Sequence, residues 1–359
     1  MLAQYVKNIG YTPLVIDCFC DQDTQVLALD CKLVKTLALE FVKVAFFELN
    51  QQYTINHFVY GSGFERYTNS LKFLQQELCV LGNSWEVFSL IQDKSYFFSK
   101  LKQLKIPFPE ISFQRPDEKD GWLIKPMQGE GGIGIKIYQV LEKPSVSSYW
   151  QKYQDGIPMS VLFVANGSEY EVIGFNQQLF SKIADNEFVF TGVINQPEVT
   201  EVISEIVIRW LDLLVSEYRL KGINSLDFIV NDDNCFMLEV NARPSASLQL
   251  YDRHLFTEHI ASCIDGRLSE MNISKTYHVY QVFFADIDIV ISEAIKWPLW
   301  VVDIPQRGSL INTGMPICSI IACGKNDRQV EESLLLRQQI IKKLIQVAIQ
   351  CNTQGVSIN

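Results

Sequence analysis

The chain has 359 residues, a length that suggests two or three domains or one elaborated α/β unit. Hydrophobic residues make up 48% and charged residues 20%, which allows a sizeable core and excludes bulk disorder. Acidic residues outnumber basic ones 41 to 31. The resulting net charge of −10 argues against non-specific nucleic-acid binding, although local cations could still hold an anionic small substrate.

The sequence shows no apolar run long enough for a membrane span and no secretory signal pattern at its N-terminus. The nine cysteines are irregularly spaced and form no CxxC pair, which predicts reduced thiols in a cytoplasmic protein. Cys18 and Cys20 would share a face of a strand, but a metal site would need further ligands nearby. A structural role is therefore favoured for both thiols.

The N-terminal part alternates short apolar runs with helical patterns. Strands are predicted at Pro13–Phe19 and His57–Tyr60, and a helix at Lys32–Leu49. Such alternation predicts a parallel sheet covered on both faces. The chain begins inside a helical pattern at Leu2–Ile9. The strand that usually opens such a sheet is therefore expected to be absent or replaced.

The loop Gly61–Glu65 follows the second of these strands. Ligands of parallel sheets bind beyond the carboxyl ends of the strands, so we expect a substrate pocket between this loop and Arg243. Ser62 offers a hydroxyl and an N–H to an anion, and Glu65 could hold an ammonium group. The alternative is a plain strand-to-helix turn. The candidate substrate residues are Gly61, Ser62, Gly63 and Glu65.

A glycine-rich loop joins two predicted strands, Trp122–Met127 and Ile135–Val140. Because a strand follows the loop, its glycine spacing does not indicate a dinucleotide-binding turn. Glycine lets backbone N–H groups come close to a ligand, so the loop could close over a triphosphate; a flexible surface turn is the alternative. Lys125 lies in the first, apolar strand, where it either pairs with a nucleotide phosphate or reaches solvent at a sheet edge. The loop glycines are Gly129, Gly131, Gly132 and Gly134.

Further elements are predicted from their periodicity. Antiparallel strands are expected next, then an amphipathic helix at Val199–Leu220 and a helix at Leu255–Ile264. The end of the chain is predicted to be β-rich, with a final helix from about Gln329 to Ala348. The three antiparallel strands are Ser160–Ala165, Glu171–Phe175 and Phe188–Val193.

The strongest signal is a predicted hairpin of two strands, Ile223–Val230 and Cys235–Val240. Asp227 and Glu239 are equidistant from Asp233, in the turn cluster between the strands, so the two carboxylates should face each other. Like charges that face each other across a sheet repel unless a cation lies between them. The pairing therefore indicates a cation site, with an exposed polar face of the hairpin as the alternative.

The residues after this hairpin extend the pattern. Asn241 lies two positions beyond Glu239 and therefore on the same face. Two carboxylates and an amide oxygen are ligands suited to Mg²⁺. Arg243 follows after two more positions, where its permanent charge could hold a carboxylate or a phosphorylated intermediate.

Taken together, these motifs resemble the ATP-grasp superfamily, in particular the predicted carboxylate–amine ligases related to biotin carboxylase. The tail from Trp297 to Gly324 resembles the C-terminal β domain of that group, so the likeness spans nearly the whole chain. The motifs that carry it are Lys94 after Asp93, Lys125 before the glycine loop, Gln151–Gln154 before Asp155 and Gly156, and the run from Asp227 to Arg243.

The resemblance implies an α/β (α+β) chain with the ATP-grasp fold. An N-terminal parallel-sheet domain is expected at residues 1–90 and the ATP-grasp domain, with its lid at about 115–153, at residues 91–266. A C-terminal β-rich domain with a final helix is expected at residues 267–359. The short segment between the glycine loop and Gln151 implies a compact lid.

The resemblance also implies residue roles. Mg²⁺, as one or two ions for which Mn²⁺ could substitute, would be held by Asp227, Glu239 and Asn241. Arg243 would be the catalytic residue, facing an acyl phosphate or the acceptor. ATP would be bound by Lys94, Lys125, Gly129, Gly131, Gly132, Gly134, Gln151, Lys152, Tyr153 and Gln154.

The implied activity is ATP- and Mg²⁺-dependent ligation of a small carboxylate, activated as an acyl phosphate, to a small amine. Some similar proteins suggest C1-carrier cofactor biosynthesis of the methanopterin or methanofuran kind. Biotin carboxylation is not expected, since no Met-Lys-Met biotinylation site occurs. The alternative is an inactive ATP-binding scaffold or regulatory subunit. Neither nucleic acid nor membrane is an expected partner, and a homodimer stays open.

Overall fold

The computed structural model describes residues 1–117, 120–139, 147–271 and 276–355. Within them the helices are α1 Leu2–Asn8, α2 Gln22–Leu27, α3 Leu39–Gln52, α4 Thr68–Glu77, α5 Trp85–Gln92, α6 Lys94–Gln103, α7 Glu201–Tyr218, α8 Leu255–Ile264 and α9 Asp327–Gly355. Short 3₁₀ turns occur at Phe64–Arg66 and Ala246–Leu250.

The strands belong to several sheets and run from the N-terminal part to the C-terminal part. They are β1 Leu14–Asp17, β2 Asp30–Leu33, β3 His57–Phe58, β4 Cys79–Val80, β5 Ile111–Ser112, β6 Trp122–Pro126, β7 Lys136–Ile137, β8 Ser148–Lys152, β9 Ile157–Asn166, β10 Tyr170–Ile183, β11 Asn186–Asn195, β12 Lys221–Asn231, β13 Asn234–Asn241, β14 Tyr277–Phe284, β15 Ile289–Val290, β16 Val301–Val302, β17 Leu310–Ile311 and β18 Pro316–Gly324.

The N-terminal part contains two parallel strand pairs, β1 with β2 and β3 with β4. The expectation of parallel strands is therefore confirmed. The predicted helix at Lys32–Leu49 is wrong in its first part, because Asp30–Leu33 is strand β2 and α3 begins only at Leu39. Hydrogen bonding to β1 makes this segment a strand. A short apolar run is compatible with either a strand or a helix when its sequence is considered alone.

A disulfide links Cys20 to Cys31, so the expectation that every cysteine is a free thiol is wrong. Parallel pairing of β1 with β2 brings the two Cα atoms to 6.3 Å, a distance that a disulfide can bridge. The pairing depends on tertiary structure, and cysteine spacing along the sequence does not reveal it.

Three antiparallel sheets form the rest of the framework among the described residues, and one of them is the short pair β15 with β17. The other two are larger. Of these two, the smaller has the order β5-β8-β6-β7, and the larger has the order β13-β12-β9-β10-β11-β14-β18-β16. The larger sheet continues across the boundary predicted at residue 266. Val140 and parts of the predicted lid lie outside the described residues. The mixed architecture agrees with the fold class expected from the sequence.

Helix α7 covers one face of the large sheet. Thr200 caps it by accepting a hydrogen bond from the Ile203 N–H at 3.3 Å. Its buried side, which includes Trp210, packs with sheet residues such as Phe163 and Phe228. Side chains alternate between the faces of a strand, so neighbours of these residues point to the opposite face. That opposite face carries the candidate site.

Within the described residues, none of the helices combines the length and apolar character that a membrane span needs.

Candidate active site

The paired carboxylates lie where β12 and β13 meet. Asp227 is directly opposite Glu239, which confirms the predicted pairing. The turn places Asn231 opposite Asn234, so a regular ladder would have paired Asp227 with Leu238. A register shift next to Asp227 brings Glu239 opposite instead. The sequence argument found the right pair but did not foresee this bulge.

The Asp227 carboxyl is buried and incompletely satisfied. Asn241 Nδ2 donates to Asp227 Oδ2 at 3.0 Å, which leaves the amide oxygen of Asn241 available to another ligand. Asp227 Oδ1 is buried without a hydrogen-bond partner among the described residues. Burial and the neighbouring Glu239 raise the pKa of Asp227 to about 7, while the nearby amides of Gln178 and Asn241 act to lower it. A hard divalent cation would satisfy these oxygens and favour the ionised form, so the donor set fits Mg²⁺.

Two lysines approach the carboxylates. Lys94, in the first turn of α6, places its Nζ 3.6 Å from Glu239 Oε2. Lys125 on β6 donates from Nζ to Gln151 Oε1 at 3.0 Å. Burial lowers the pKa of Lys125 to about 8, with Glu239 acting to raise it and Lys94 to lower it. The two lysines therefore form a positive region next to the acidic pair, as phosphate binding requires.

The glycine loop is docked on strand β11. The Phe190 N–H donates to the Gly131 carbonyl at 2.9 Å, and the Gly134 N–H donates to Asn186 Oδ1 at 3.2 Å. Gly132 has φ +76° and lies so close to β11 that a Cβ would overlap the carbonyl oxygen of Phe188. Glycine is therefore required at this position both by conformation and by space.

The segment Gln151–Gln154, at the end of β8 and just after it, is only partly directed toward the lysines. Gln151 contacts Lys125, but the Lys152 Nζ donates to the Asp120 carbonyl at 2.9 Å. Tyr153 donates its N–H to the Gly121 carbonyl at 2.6 Å. Gln154 directs its side chain to the Asp155 carbonyl, at 3.0 Å. The structure therefore brings Gln151 to Lys125, whereas the side chains of Lys152 and Gln154 bond to backbone carbonyls away from the two lysines.

Arg243 is held by the loop that follows β3. Arg243 Nε donates to Glu65 Oε1 at 2.8 Å, and the two side chains are only 10% and 6% exposed. The Gly63 N–H donates to the second oxygen, Glu65 Oε2, at 2.7 Å. Burial alone would raise the pKa of Glu65, but the charge and hydrogen bond of Arg243 hold it below its ordinary value. Glu65 is thus committed to a guanidinium rather than free for a substrate ammonium.

A cavity of about 310 Å³ lies between the acidic pair, Arg243 and the glycine loop. The two lysines and Gln151–Gln154 are not part of its lining. It is walled by the loop after β3, the glycine loop and the β12–β13 hairpin. Glu130 reaches it from the glycine loop, and Arg66 Nε donates to the Gln128 carbonyl at 3.3 Å, which joins the two loops. The predicted residues that line the cavity are Ser62, Gly131, Gly132, Asp227, Glu239, Asn241 and Arg243.

Several lining residues escaped the sequence argument. Ser160 lies opposite Asp227 across β9 and β12, and Ser225 lies opposite Asn241. The signal for Ser160 was a small polar residue inside an apolar, buried stretch of β9, and the signal for Ser225 was its place two positions before Asp227, on the same face of β12. The other missed lining residues are Glu130, Gln178, Phe180, Phe190, Val193, Ser245, Ala246 and Ser247.

Comparison with known proteins finds similarity to one family of domains. Residues 91–247 match the family model for the ATP-grasp domain. The uncharacterized protein MJ0776 of Methanocaldococcus jannaschii is 23% identical over 260 residues, which are 68% of this chain and 63% of that protein. The carbamoyl phosphate synthase large chain of Thermoplasma volcanium is 23% identical over 305 residues, 73% of this chain and 28% of that one. The chain thus spans less than two thirds of either relative.

Solved structures share the fold. The biotin carboxylase complex of Campylobacter jejuni has a TM-score of 0.69 at 11% identity, covering 91% of this chain and 85% of that one. The N5-carboxyaminoimidazole synthetase of Staphylococcus aureus, complexed with ADP, has a TM-score of 0.70 at 15% identity, covering 94% and 93%. Residues 91–247 are therefore similar to the ATP-grasp domain, and the chain shares the fold of these solved structures.

Proposed function

We propose that the protein is an ATP- and Mg²⁺-dependent ligase that activates a carboxylate as an acyl phosphate and joins it to an amine. The observation that carries the proposal is the Asp227–Glu239 pair, with its unpartnered buried oxygen, on the wall of a cavity that Arg243 and the glycine loop also line. Such a set of groups matches the charge distribution of a metal-bound triphosphate.

We expect three groups of residues to share the binding of the nucleotide. Mg²⁺ would be held by Asp227, Glu239 and Asn241, and when bound it would neutralise charge on the transferring phosphoryl group. Lys94 and Lys125 would bind phosphate oxygens, because their positive charges lie next to the carboxylates that would hold the metal. The backbone N–H groups of the glycine loop would donate hydrogen bonds to the phosphates.

The chemistry follows from this placement. A carboxylate oxygen of the substrate attacks the γ-phosphorus and ADP leaves, which forms the acyl phosphate. The amine then attacks the acyl carbon, phosphate leaves, and the nitrogen loses a proton to solvent. Arg243 would stabilise the negative charge that develops on the acyl group, since its charge is permanent and its position is fixed by Glu65.

The relatives support a short list of substrates. The biotin carboxylase domain of the Hydrogenobacter thermophilus 2-oxoglutarate carboxylase was solved with MgADP and bicarbonate. Bicarbonate is therefore the first candidate acid. The finer proposal, a role in C1-carrier cofactor synthesis, adds pterin and furan acids to the candidates.

The proposal is tested by ATP-dependent ADP release across bicarbonate, amino acids, and pterin and furan acids, each with ammonia and small amines. Glu239→Ala is expected to keep about a hundredth of the wild-type rate or less, because it removes one of the two metal carboxylates. Its side chain is 44% exposed, so the fold should survive the substitution.

Glu217→Ala is the matched control. It also removes a carboxylate paired with a lysine, at 2.7 Å from Lys100, but away from the cavity lining. This control should retain the wild-type rate. Normal turnover by Glu239→Ala would refute the ligase assignment. Binding of a non-hydrolysable ATP analogue without turnover, across the whole screen, would favour the ATP-binding scaffold instead.

A further inference from the structure

A buried network of hydrogen bonds connects the N-terminal part to the β12–β13 hairpin and to Ala242 just after it. Asn83 Nδ2 donates to Asn224 Oδ1 at 2.7 Å and to the Ala242 carbonyl at 3.0 Å. Asn83 Oδ1 accepts from the Lys221 N–H at 2.8 Å. The Tyr60 hydroxyl lies 2.8 Å from the Asn83 carbonyl and 3.2 Å from the Ala242 carbonyl, so its single hydrogen is shared between them.

The network is fully enclosed. Tyr60 is 3%, Asn83 2% and Asn224 0% exposed. Asn224 completes it by donating from Nδ2 to the Gly222 carbonyl at 2.8 Å. Buried amides that lose a partner are costly, so a satisfied network of this kind favours one arrangement of the backbone over its alternatives.

The aromatic ring of Tyr60 is fixed by its neighbours. It makes edge contacts with Phe64 at 6.0 Å and with Phe88 at 5.5 Å between ring centroids. The hydroxyl is therefore aimed at the Ala242 carbonyl by a ring that has little freedom to turn. Phe64 precedes Glu65, so the same loop that holds Arg243 also packs on this ring.

Ala242 links this network to the candidate site, because it lies between Asn241 and Arg243 in the chain. Asn241 contacts Asp227, and Arg243 contacts Glu65. The carbonyl belongs to the peptide that joins Ala242 to Arg243, so a shift of this backbone would displace Arg243 directly and Asn241 through the preceding peptide. By holding the carbonyl, Tyr60 and Asn83 constrain the backbone that carries both side chains.

We propose that Tyr60 and Asn83 are positioning residues, which hold the Ala242 carbonyl so that Asn241 faces the acidic pair and Arg243 faces the acyl group. This inference rests on the proposed function, since it assigns the two residues to the same metal and substrate site. It makes the N-terminal part a component of that site, acting through the backbone of the hairpin rather than by contact with the ligands.

Tyr60→Phe is the informative variant, because it removes the hydroxyl and keeps the ring. Tyr5→Phe is its matched control: Tyr5 is 4% exposed and its hydroxyl also donates to a backbone carbonyl, that of Leu248, at 2.7 Å. We expect Tyr60→Phe to raise the Mg²⁺ concentration for half-maximal ATP-analogue binding about tenfold, the usual scale for residues that orient metal ligands. Tyr5→Phe should leave it unchanged.

The second readout is the electron paramagnetic resonance spectrum of Mn²⁺ with ADP on each protein, alongside the melting temperature. Tyr60→Phe should alter the Mn²⁺ spectrum, whereas both variants lower the melting temperature to a similar extent. A Tyr60→Phe protein with the wild-type spectrum and Mg²⁺ dependence would overturn the positioning role, as would equal changes in both variants. If the wild-type protein binds neither Mn²⁺–ADP nor the Mg²⁺–ATP analogue, the proposed function itself fails.

Discussion

At the scale of single residues, ionised Asp227 should destabilise the metal-free fold and favour the binding of Mg²⁺. Its pKa in the folded protein is raised from 3.8 to about 7 by burial and by Glu239. Between these values the folded state holds a proton that the unfolded state has released. The free energy of unfolding should therefore fall as the pH rises through this window, in the absence of metal.

Asp227→Asn separates the two effects. In EDTA the variant should be more stable than the wild type at pH 8 and nearly equal to it at pH 4, because only the wild type has the Asp227 carboxyl to ionise in between. Urea unfolding at the two pH values measures this difference. With Mg²⁺ and an ATP analogue at pH 8, only the wild type should gain stability. An equal stability difference at both pH values would contradict the account.

The sequence predicted the cavity residues of the β12–β13 hairpin better than those of the rest of the cavity. Asp227, Glu239 and Asn241 follow from alternation along two strands joined by a clear turn. Ser160 and Gln178 do not, because β9 and β10 become neighbours of the hairpin only through the order of the sheet. The engagement of Glu65 by Arg243 likewise depends on how the N-terminal part packs, which no local pattern encodes.

At the scale of elements, the glycine loop is the most sharply constrained feature. Gly131 and Gly132 both have positive φ, +61° and +76°. A Cβ at Gly131 meets no atom within 4 Å, whereas one at Gly132 overlaps the β11 backbone. An alanine at either position would have to adopt an unfavourable left-handed conformation, but only an alanine at Gly132 would also clash with the backbone.

Gly132→Ala should therefore displace the loop from β11 and weaken ATP-analogue binding at least about tenfold. Gly131→Ala should cost only about 1–2 kcal/mol of stability from its left-handed conformation, with a smaller loss of affinity. Calorimetric titration of both variants with the analogue and Mg²⁺ measures the contrast. Equal affinities in the two variants would show that docking on β11 has no part in nucleotide binding.

The elements themselves were predicted unevenly. Helix α8 runs from Leu255 to Ile264, as its periodicity predicts, because a full apolar stripe defines it. The helix predicted from Lys32 took in the second half of strand β2, Asp30–Leu33, since a four-residue strand carries too little periodicity of its own. The same strand pairing creates the disulfide, so one tertiary contact explains both errors.

The disulfide gives a direct count of thiols. The sequence has nine cysteines, and the Cys20–Cys31 bond removes two, so unreduced protein denatured in guanidinium should show seven reactive thiols. After reduction it should show nine. Closing a loop of 11 residues should also stabilise the fold by about 3 kcal/mol, measured by denaturant titration with and without reductant. Nine thiols before reduction would show that the bond is absent.

At the scale of the whole molecule, the cavity is assembled from distant parts of the chain. Ser62 comes from the N-terminal part, Glu130 from the glycine loop and Asp227 from the large sheet. The large sheet continues into the C-terminal strands β14, β18 and β16. Family likeness predicted this architecture, whereas the identity of the substrates depends on the detailed shape of the cavity. The homodimer and the domain boundaries stay predictions.

The central claim, that a carboxylate is activated as an acyl phosphate, is tested most directly by following oxygen. The acid that supports turnover is labelled with ¹⁸O in its carboxylate, and the released phosphate is examined by ³¹P nuclear magnetic resonance. The account predicts one ¹⁸O atom transferred from the acid to each phosphate, because the attacking oxygen leaves with phosphorus when the amine displaces it. Phosphate without label, released together with the ligated product, would contradict it.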